Sequence, residues 1–361
     1  GEGGNFAYVN ARICVRSSRL LTNDDFHLLV RKSLPEIAAF LSETQYGKDL
    51  LALGLRYTGA DLIEHAITAM LSSEWRDIHR FCKGDIQKIV ERRLSLIEGE
   101  NLKIILRGRA TGVDFDTIRH TLVPVEYCWS KFTLADWEAA LLSPSDEELL
   151  KSLNGSPFVK TLKRIHDKYK NDSPDSTETR LKRLPEEMDA IDYEVHAMRR
   201  FLIRGKKTST QKLNHVLALE IDQINMRTFL ILKRNNLPPE AIELRLLPGG
   251  CYFSREFLSK RVGAPSLAEA IRSIRGENKQ PELDAVLGKA QETGDCIPID
   301  RLMRKQFMNA LRAAAVSFPL SPLTVIEYLR RRRREVAAIQ LIARGKRQGL
   351  PESEILDLLL L

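Results

Sequence analysis

Apolar residues recur along this chain at intervals of three and four almost everywhere. In Asp61–Met70 the stripe is Leu62, Ile63, Ala66, Ile67 and Met70, and the same spacing returns in Ala197–Ile203 and in Val216–Leu232. That period puts the apolar side chains on one face of an α-helix. Strict apolar–polar alternation bounded by Asn-Gly or Asp-Gly, the mark of a hairpin, is missing. The pattern predicts an all-α fold. Two polar stretches interrupt it, Lys170–Thr177 and Gly276–Pro281, and both read as exposed loops between helices.

The pattern also repeats on a longer scale. Asn101–Pro124 aligns without gaps onto Asn225–Pro248 at an offset of 124 residues, and a third copy, Ala338–Leu359, follows after a further 113. Three residues ahead of the copies stand Glu98, Asp222 and Glu335. Leu102, Met226 and Ile339 form one apolar column, Ile105, Phe229 and Ile342 a second, Ile118, Ile242 and Ile355 a third, and Leu122, Leu246 and Leu359 a fourth. Between them Gly112, Asn236 and Gly349 share a column. Glycine and asparagine best tolerate the left-handed conformation in which helices commonly end. These three are therefore predicted to terminate a long helix with positive φ. Val113, Leu237 and Leu350 then fold into the corner, and Asp114, Pro238 and Pro351 suit the opening of a short helix.

Weaker echoes lie upstream. Leu21–Phe26 resembles Phe132–Trp137 and, in shorter form, Phe253–Phe257, while Ser33–Glu36, Ser145–Glu148 and Ser266–Glu269 have the spacing of helix starts. The repeat divides the chain into three related helical domains, 1–124, 125–248 and 249–361.

Several motifs keep a recognisable order: Tyr8-Val9-Asn10-Ala11-Arg12, Ser42–Gly47, Asn101-Leu102-Lys103, Leu246–Gly250 and Leu341–Lys346. Together they resemble the C subunit of the archaeal-type rotary ATP synthase, whose counterpart in the vacuolar ATPase is the d subunit. The resemblance covers essentially the whole chain. It implies three similar helical domains around a pseudo-threefold axis, forming a funnel. It further implies a non-catalytic, peripheral protein without a cofactor on the cytoplasmic face of the cell membrane. There it would sit on the membrane rotor ring, receive the central shaft and pass torque between them. The chain departs from the family pattern at the polar insert near Asp172–Thr177 and at a run of arginines.

Charge changes the picture only a little. Lys and Arg number 56 against 48 Asp and Glu, a net charge of +8. A basic excess is one footprint of nucleic-acid binding, so a nucleic-acid-binding protein is one alternative class and a helical repeat scaffold another. Aromatic residues make up only 7%, no RNP, KH or zinc-finger pattern occurs and the basic residues are spread throughout, which argues for no nucleic-acid partner. A solenoid needs many repeats and polar end caps, whereas three long units can close around an axis. No apolar run approaches the ~18 residues of a membrane span, and none has the form of a secretory leader, so neither is expected.

Candidate chemistry is sparse. Cys14, Cys82, Cys128, Cys251 and Cys296 are scattered without a C-x-x-C pair, and they read as structural thiols of a reducing cytosol. The seven histidines form no i, i+4 pair, which argues against the common zinc sites. Gly205-Lys206-Lys207-Thr208 superficially resembles a phosphate loop, but Arg200 stands where the first glycine is required and Lys207 where Ser or Thr is, so an exposed helix end is expected. Asp24-Asp25 and Glu186-Glu187 are adjacent carboxylates; neighbours in a helix do not face each other, and they read as first-turn acids. Cys128 and Trp129 are expected in a core.

Two basic features remain open. Arg107 aligns with Arg344 and Arg109 with Lys346, flanking Gly108 and Gly345, while Ile231, Leu232 and Lys233 occupy the middle copy. These cations either meet the ring or the shaft, or simply complement the negative ends of their helices. Arg330–Arg334 falls inside the apparently helical Leu323–Arg347, and at about 100° per residue five positions wrap beyond a full turn. Ile326, Leu329, Val336 and Ile339 continue the apolar stripe, so Arg332 or Arg333 faces the core and must snorkel or meet a buried carboxylate. Arg331 and Arg334 are the candidates for an electropositive lining that attracts an acidic segment of the shaft.

Overall fold

The computed structural model describes residues 5–128, 132–156, 158, 159, 162, 163, 166, 167 and 208–359. Every regular element among them is helical and none is a strand. The expected loop Lys170–Thr177, the stripe Ala197–Ile203, the pair Glu186-Glu187, Trp129 and Gly205–Lys207 lie outside the described residues.

Short helices open each domain-sized copy of the repeat, 1–124, 125–248 and 249–361, and their starts are chemically marked. The helix α1 (Phe6–Ser17) leads to α2 (Asn23–Val30), whose N-cap Thr22 accepts from the Asp25 N–H while Asp25 accepts from Thr22 in return. Ser33 and Glu36 close the same reciprocal box at α3 (Leu34–Ser42). Asp24 and Asp25 are indeed in a first turn, where carboxylates suit the helix dipole. There follow α4 (Gly47–Leu53), α5 (Gly59–Phe81), α6 (Asp85–Thr111), α7 (Phe115–Ile118), α8 (Leu134–Leu142) and α9 (Asp146–Ser152). After the undescribed segment come α10 (Thr208–Arg234), α11 (Pro239–Arg245), α12 (Arg255–Ser259), α13 (Leu267–Glu277), α14 (Pro281–Thr293), α15 (Ile297–Ser317), α16 (Pro322–Arg347) and α17 (Glu352–Leu359). Ser145, Ser254 and Ser266 cap α9, α12 and α13 by accepting from the N–H three residues on. The loop expected over Gly276–Pro281 is shorter than its polarity suggests. Gly276 and Glu277 finish α13, and Pro281 opens α14, because a first-turn proline gives up no needed donor.

These caps make stability acid-sensitive. Glu36 is held below the ordinary carboxylate range by the Ser33 backbone N–H, Asp136 by that of Thr133, and Asp114 by the Thr117 hydroxyl. A carboxylate depressed in the folded state stabilises when ionised, and that contribution disappears as pH falls through its folded pKa. Thermal midpoints followed by circular dichroism should therefore hold down to about pH 4 and drop below it. Glu36→Gln, which removes the titrating carboxylate, should make the drop shallower.

The three long helices α6, α10 and α16 end alike. Gly112, Asn236 and Gly349 have φ of 69°, 54° and 71°. In each case the N–H one residue later reaches back five residues: Val113 to Gly108 O at 3.0 Å, Leu237 to Leu232 O at 3.1 Å, Leu350 to Gly345 O at 2.9 Å. A second bond joins Gly112 N–H to Arg109 O, Asn236 N–H to Lys233 O and Gly349 N–H to Lys346 O. This is the Schellman motif, made three times, and it satisfies carbonyls a helix end would otherwise orphan. A Cβ on Gly112 would meet nothing within 4 Å, so only its backbone conformation restricts the residue. Gly112→Val is expected to destabilise by about 1–3 kcal/mol, measured by urea unfolding.

Packing groups the chain into two compact units that do not coincide with the repeat. One comprises Gly1–Ile105, Asp114–Ala139 and Pro319–Leu361, the other Leu106–Val113 and Ala140–Phe318. The core of the first combines Val9, Ile13, Phe26, Ile37, Ile63, Ile67 and Trp75 with Val325, Tyr328, Ile339, Ile342 and Ile355, so the last helices complete the first copy. Cys128 is buried in this core. The core of the second joins Met226, Phe229 and Ile242 to Leu258, Ile271, Leu283, Leu287 and Ile299.

Candidate functional site

Each long helix carries an acid and, eleven residues later, a base: Glu98 and Arg109, Asp222 and Lys233, Glu335 and Lys346. Eleven residues make close to three turns, so the two share a face. On α10 the buried Asp222 carboxylate accepts from the backbone N–H groups of Cys251, Tyr252 and Phe253, each at 2.9 Å, just before α12 begins. Burial nonetheless pushes its carboxyl up, against those three bonds. Gly250 has φ of 100°, and a Cβ there would lie 2.5 Å from Asp222 Oδ1, so only glycine lets the backbone come this near. Lys233 Nζ donates to Val262 O at 2.7 Å, just past the end of α12.

On each of the other two long helices one member of the pair makes such a reach. Arg109 of α6 donates to Ser143 O at 3.1 and 3.0 Å, beyond the end of α8, and to Asp146 at 3.1 Å. Glu98 is buried in the acid column. Glu335 of α16 accepts from Leu21 N–H at 2.5 Å, just ahead of α2. Each long helix thus reaches the flank of a short helix of the next copy, and the third long helix reaches one of the first. Asn101 and Asn225 add a rung, exchanging two hydrogen bonds with the backbone of Val123 and of Leu247.

Within the arginine run, Arg332 is the core-facing member and its side chain has no exposed surface. It meets carboxylates and does not snorkel. Its Nη1 donates to Glu335 at 2.6 Å, its Nη2 to Gln45 at 2.8 Å and to the Tyr328 hydroxyl at 2.9 Å, and its Nε lies 2.9 Å from Glu74. The Tyr46 hydroxyl donates to Glu335 at 2.5 Å and that of Tyr328 to Glu74. One buried cation thereby draws α5, α16 and the α3–α4 junction together. Glu74 was invisible to sequence reasoning, since it stands outside the repeat columns and 258 residues from its partner.

The remaining basic candidates fall in different settings. Arg107 and Arg334 are exposed, and Lys346 is half-buried. Arg109 has its donors committed inside its unit. Arg344 is exposed and forks onto Glu64 at 3.0 and 3.1 Å, beside an Arg347–Asp61 pair at 2.9 Å. Arg331 lies 3.5 Å from Glu327 one turn earlier. Thr208, the last residue of the phosphate-loop look-alike, is the first of α10.

Cys251 Sγ lies 3.8 Å from His215 Nδ1, a pair that no sequence motif announces. Burial and the Asp222 charge push this thiol up, the reverse of what activates a nucleophile. Burial alone raises Cys82 to about 12. Among the described residues no three His, Cys, Asp or Glu side chains are grouped to hold a metal ion, and no helix is long and apolar enough to cross a membrane.

The grip uses Asn101 of one motif that carried the resemblance and Leu247 and Gly250 of another. The sequence matches the family model of the ATP synthase (C/AC39) subunit over residues 9–358. The C subunit of the A-type ATP synthase from Archaeoglobus fulgidus is 27% identical over 358 residues, 98% of this chain and 96% of that protein. Its equivalent from Haloquadratum walsbyi is also 27% identical, over 98% of each chain. The one from Methanosarcina mazei is 23% identical over 99% of this chain and 93% of its own length. With an all-α fold, a threefold repeat and a match that runs nearly end to end, the chain belongs to the ATP synthase (C/AC39) subunit family.

Proposed function

We propose that this protein is the non-catalytic central-stalk socket of a rotary ATP synthase, linking the membrane rotor ring to the central shaft and passing torque between them. The observation that carries the reading is the near end-to-end match to proteins named as the C subunit of A-type ATP synthases. In this reading the three sequence domains, 1–124, 125–248 and 249–361, stand around a pseudo-threefold axis as a funnel. The protein binds peripherally at the cytoplasmic face of the cell membrane. A part that transmits torque needs stiffness, and the repeated grip supplies it. α2, α8 and α12 are each tied from a long helix through buried or half-buried polar bonds, so rotation of one element carries the next.

Arg107, Arg331, Arg334, Arg344 and Lys346 are the proposed contacts to ring or shaft, while Arg109 serves its own unit. Affinity purification of the tagged protein from membranes tests the role: the ring and shaft proteins should co-purify. Recovery without either would sink it. Reversing charge at Arg107 and Arg344 together should weaken that association, more so at low salt than at high. An unchanged assembly would leave these cations to their helix ends and to Glu64.

A further inference from the structure

The three long helices are alike enough to compete for one another's places. α6, α10 and α16 share the acid, the base and the apolar columns, and each reaches the flank of a capped short helix of the next copy. Exchange of equivalent elements is a characteristic failure of repeat chains. The column three residues before the acid is where the helices differ: Ser95 on α6, Leu219 on α10 and Arg332 on α16.

What the receiving copy offers differs in step. The first copy presents Glu74, Gln45 and Tyr46 to α16. The third copy presents Gln280, Met303, Gln306 and Phe307 to α10, and these line a cavity of about 150 Å³ together with Leu219 and Asp222. Among the described residues no carboxylate of the third copy lines that cavity, and Asp300, which accepts from Gln223 of α10 at 2.6 Å, is already paired with Arg304 at 2.9 Å. Placed there, α16 would bring Glu335 with it, but Arg332 would lose Glu74 and Gln45. Placed on the first copy, α10 would bury Leu219 against Glu74 and leave that carboxylate with the more distant Arg16, 3.9 Å away.

A buried ion cluster stabilises no better than packed hydrocarbon of the same volume, yet removing one partner is strongly destabilising. That asymmetry discriminates between places more than it strengthens any of them. We propose that Arg332 and Glu74 form an address that assigns the last long helix to the first copy. The need is greatest at this junction. Asp222 and Arg109 reach partners 31 and 34 residues away, whereas 258 residues separate Glu74 from Arg332, so the other places are available first.

The test is refolding of the full chain from urea, scored as native monomer recovered on size exclusion, beside the thermal midpoint of each native variant. Arg332→Lys keeps the charge and loses the fork. Glu74→Gln keeps the shape and loses the charge. The double variant Arg332→Met/Glu74→Met removes both charges. A cluster that merely stabilises predicts recovery in the order of the midpoints. The address predicts that, refolded at final urea concentrations that leave the two variants equally stable, Arg332→Lys recovers as the parent does, while Glu74→Gln recovers about threefold less monomer, with the balance in oligomers. The double variant leaves buried Glu335 without its guanidinium, so its midpoint falls below the parent's though above that of Arg332→Met alone, and it should recover least. Recovery that follows the midpoints, or is equal for the two single variants at equal stability, overturns the proposal, and the two single variants decide it should the double variant fail to fold.

Discussion

Arg332→Met is expected to lower the stability of the chain by about 3–5 kcal/mol, the range found when one partner of a buried ion pair is removed. The substitution fills similar space, so little of the loss is cavity. Most comes from stranding Glu335 and Glu74, whose side chains are 2% and 9% exposed, without the guanidinium that neutralises them. Glu335 keeps the Tyr46 hydroxyl and the Leu21 N–H, which limits the damage on that side. Urea unfolding should show a lower midpoint with an unchanged slope. Arg332→Lys should fall between, because an ammonium cannot fork between Glu335, Gln45 and Tyr328. A loss below about 1 kcal/mol for the methionine variant would mean that water reaches the cluster and that it behaves as a surface pair.

Asp222→Ala should cost about 3 kcal/mol or more, by taking the acceptor from three backbone donors at once, each worth about 1–3 kcal/mol when left unsatisfied. The Phe253 N–H lies in the core, so the variant leaves it without a ready replacement, while Cys251 and Tyr252 have surface through which water can help. Hydrogen exchange localises the effect. The amides of Cys251–Phe253 should exchange faster than in the parent by more than the global loss of stability explains. Exchange that rises only in proportion to global unfolding would mean that the segment is held by packing of Phe253 and not by the carboxylate.

The helical period, the caps and the Schellman turns were legible because they are local. Thr22 and Ser33 announce their helices within four residues, and Gly112, Asn236 and Gly349 mark their turns by a backbone conformation few residue types accept. Repetition sharpened the signal, since chemistry shared by three columns is less readily accidental than a single match. The polar column was legible too, but its use was not. Glu98, Asp222 and Glu335 are visible as acids ahead of each copy, yet nothing near them shows that Asp222 gathers three N–H groups or that Glu335 reaches Leu21, 314 residues away.

The same limit governs the basic residues. Arg109 and Arg344 occupy corresponding stretches of their helices, and one is spent on a backbone carbonyl and a buried aspartate while the other forks onto Glu64 near the surface. Helical geometry narrowed the arginine run to two core-facing members. Which of them is buried, and in front of which acid, depended on how α16 lies on α5. Periodicity and capping are properties of a few neighbouring residues, so the order of amino acids is enough to state them. Pairing across hundreds of residues depends on which faces pack, and a charge takes its meaning from the carboxylate, carbonyl or water that packing places before it.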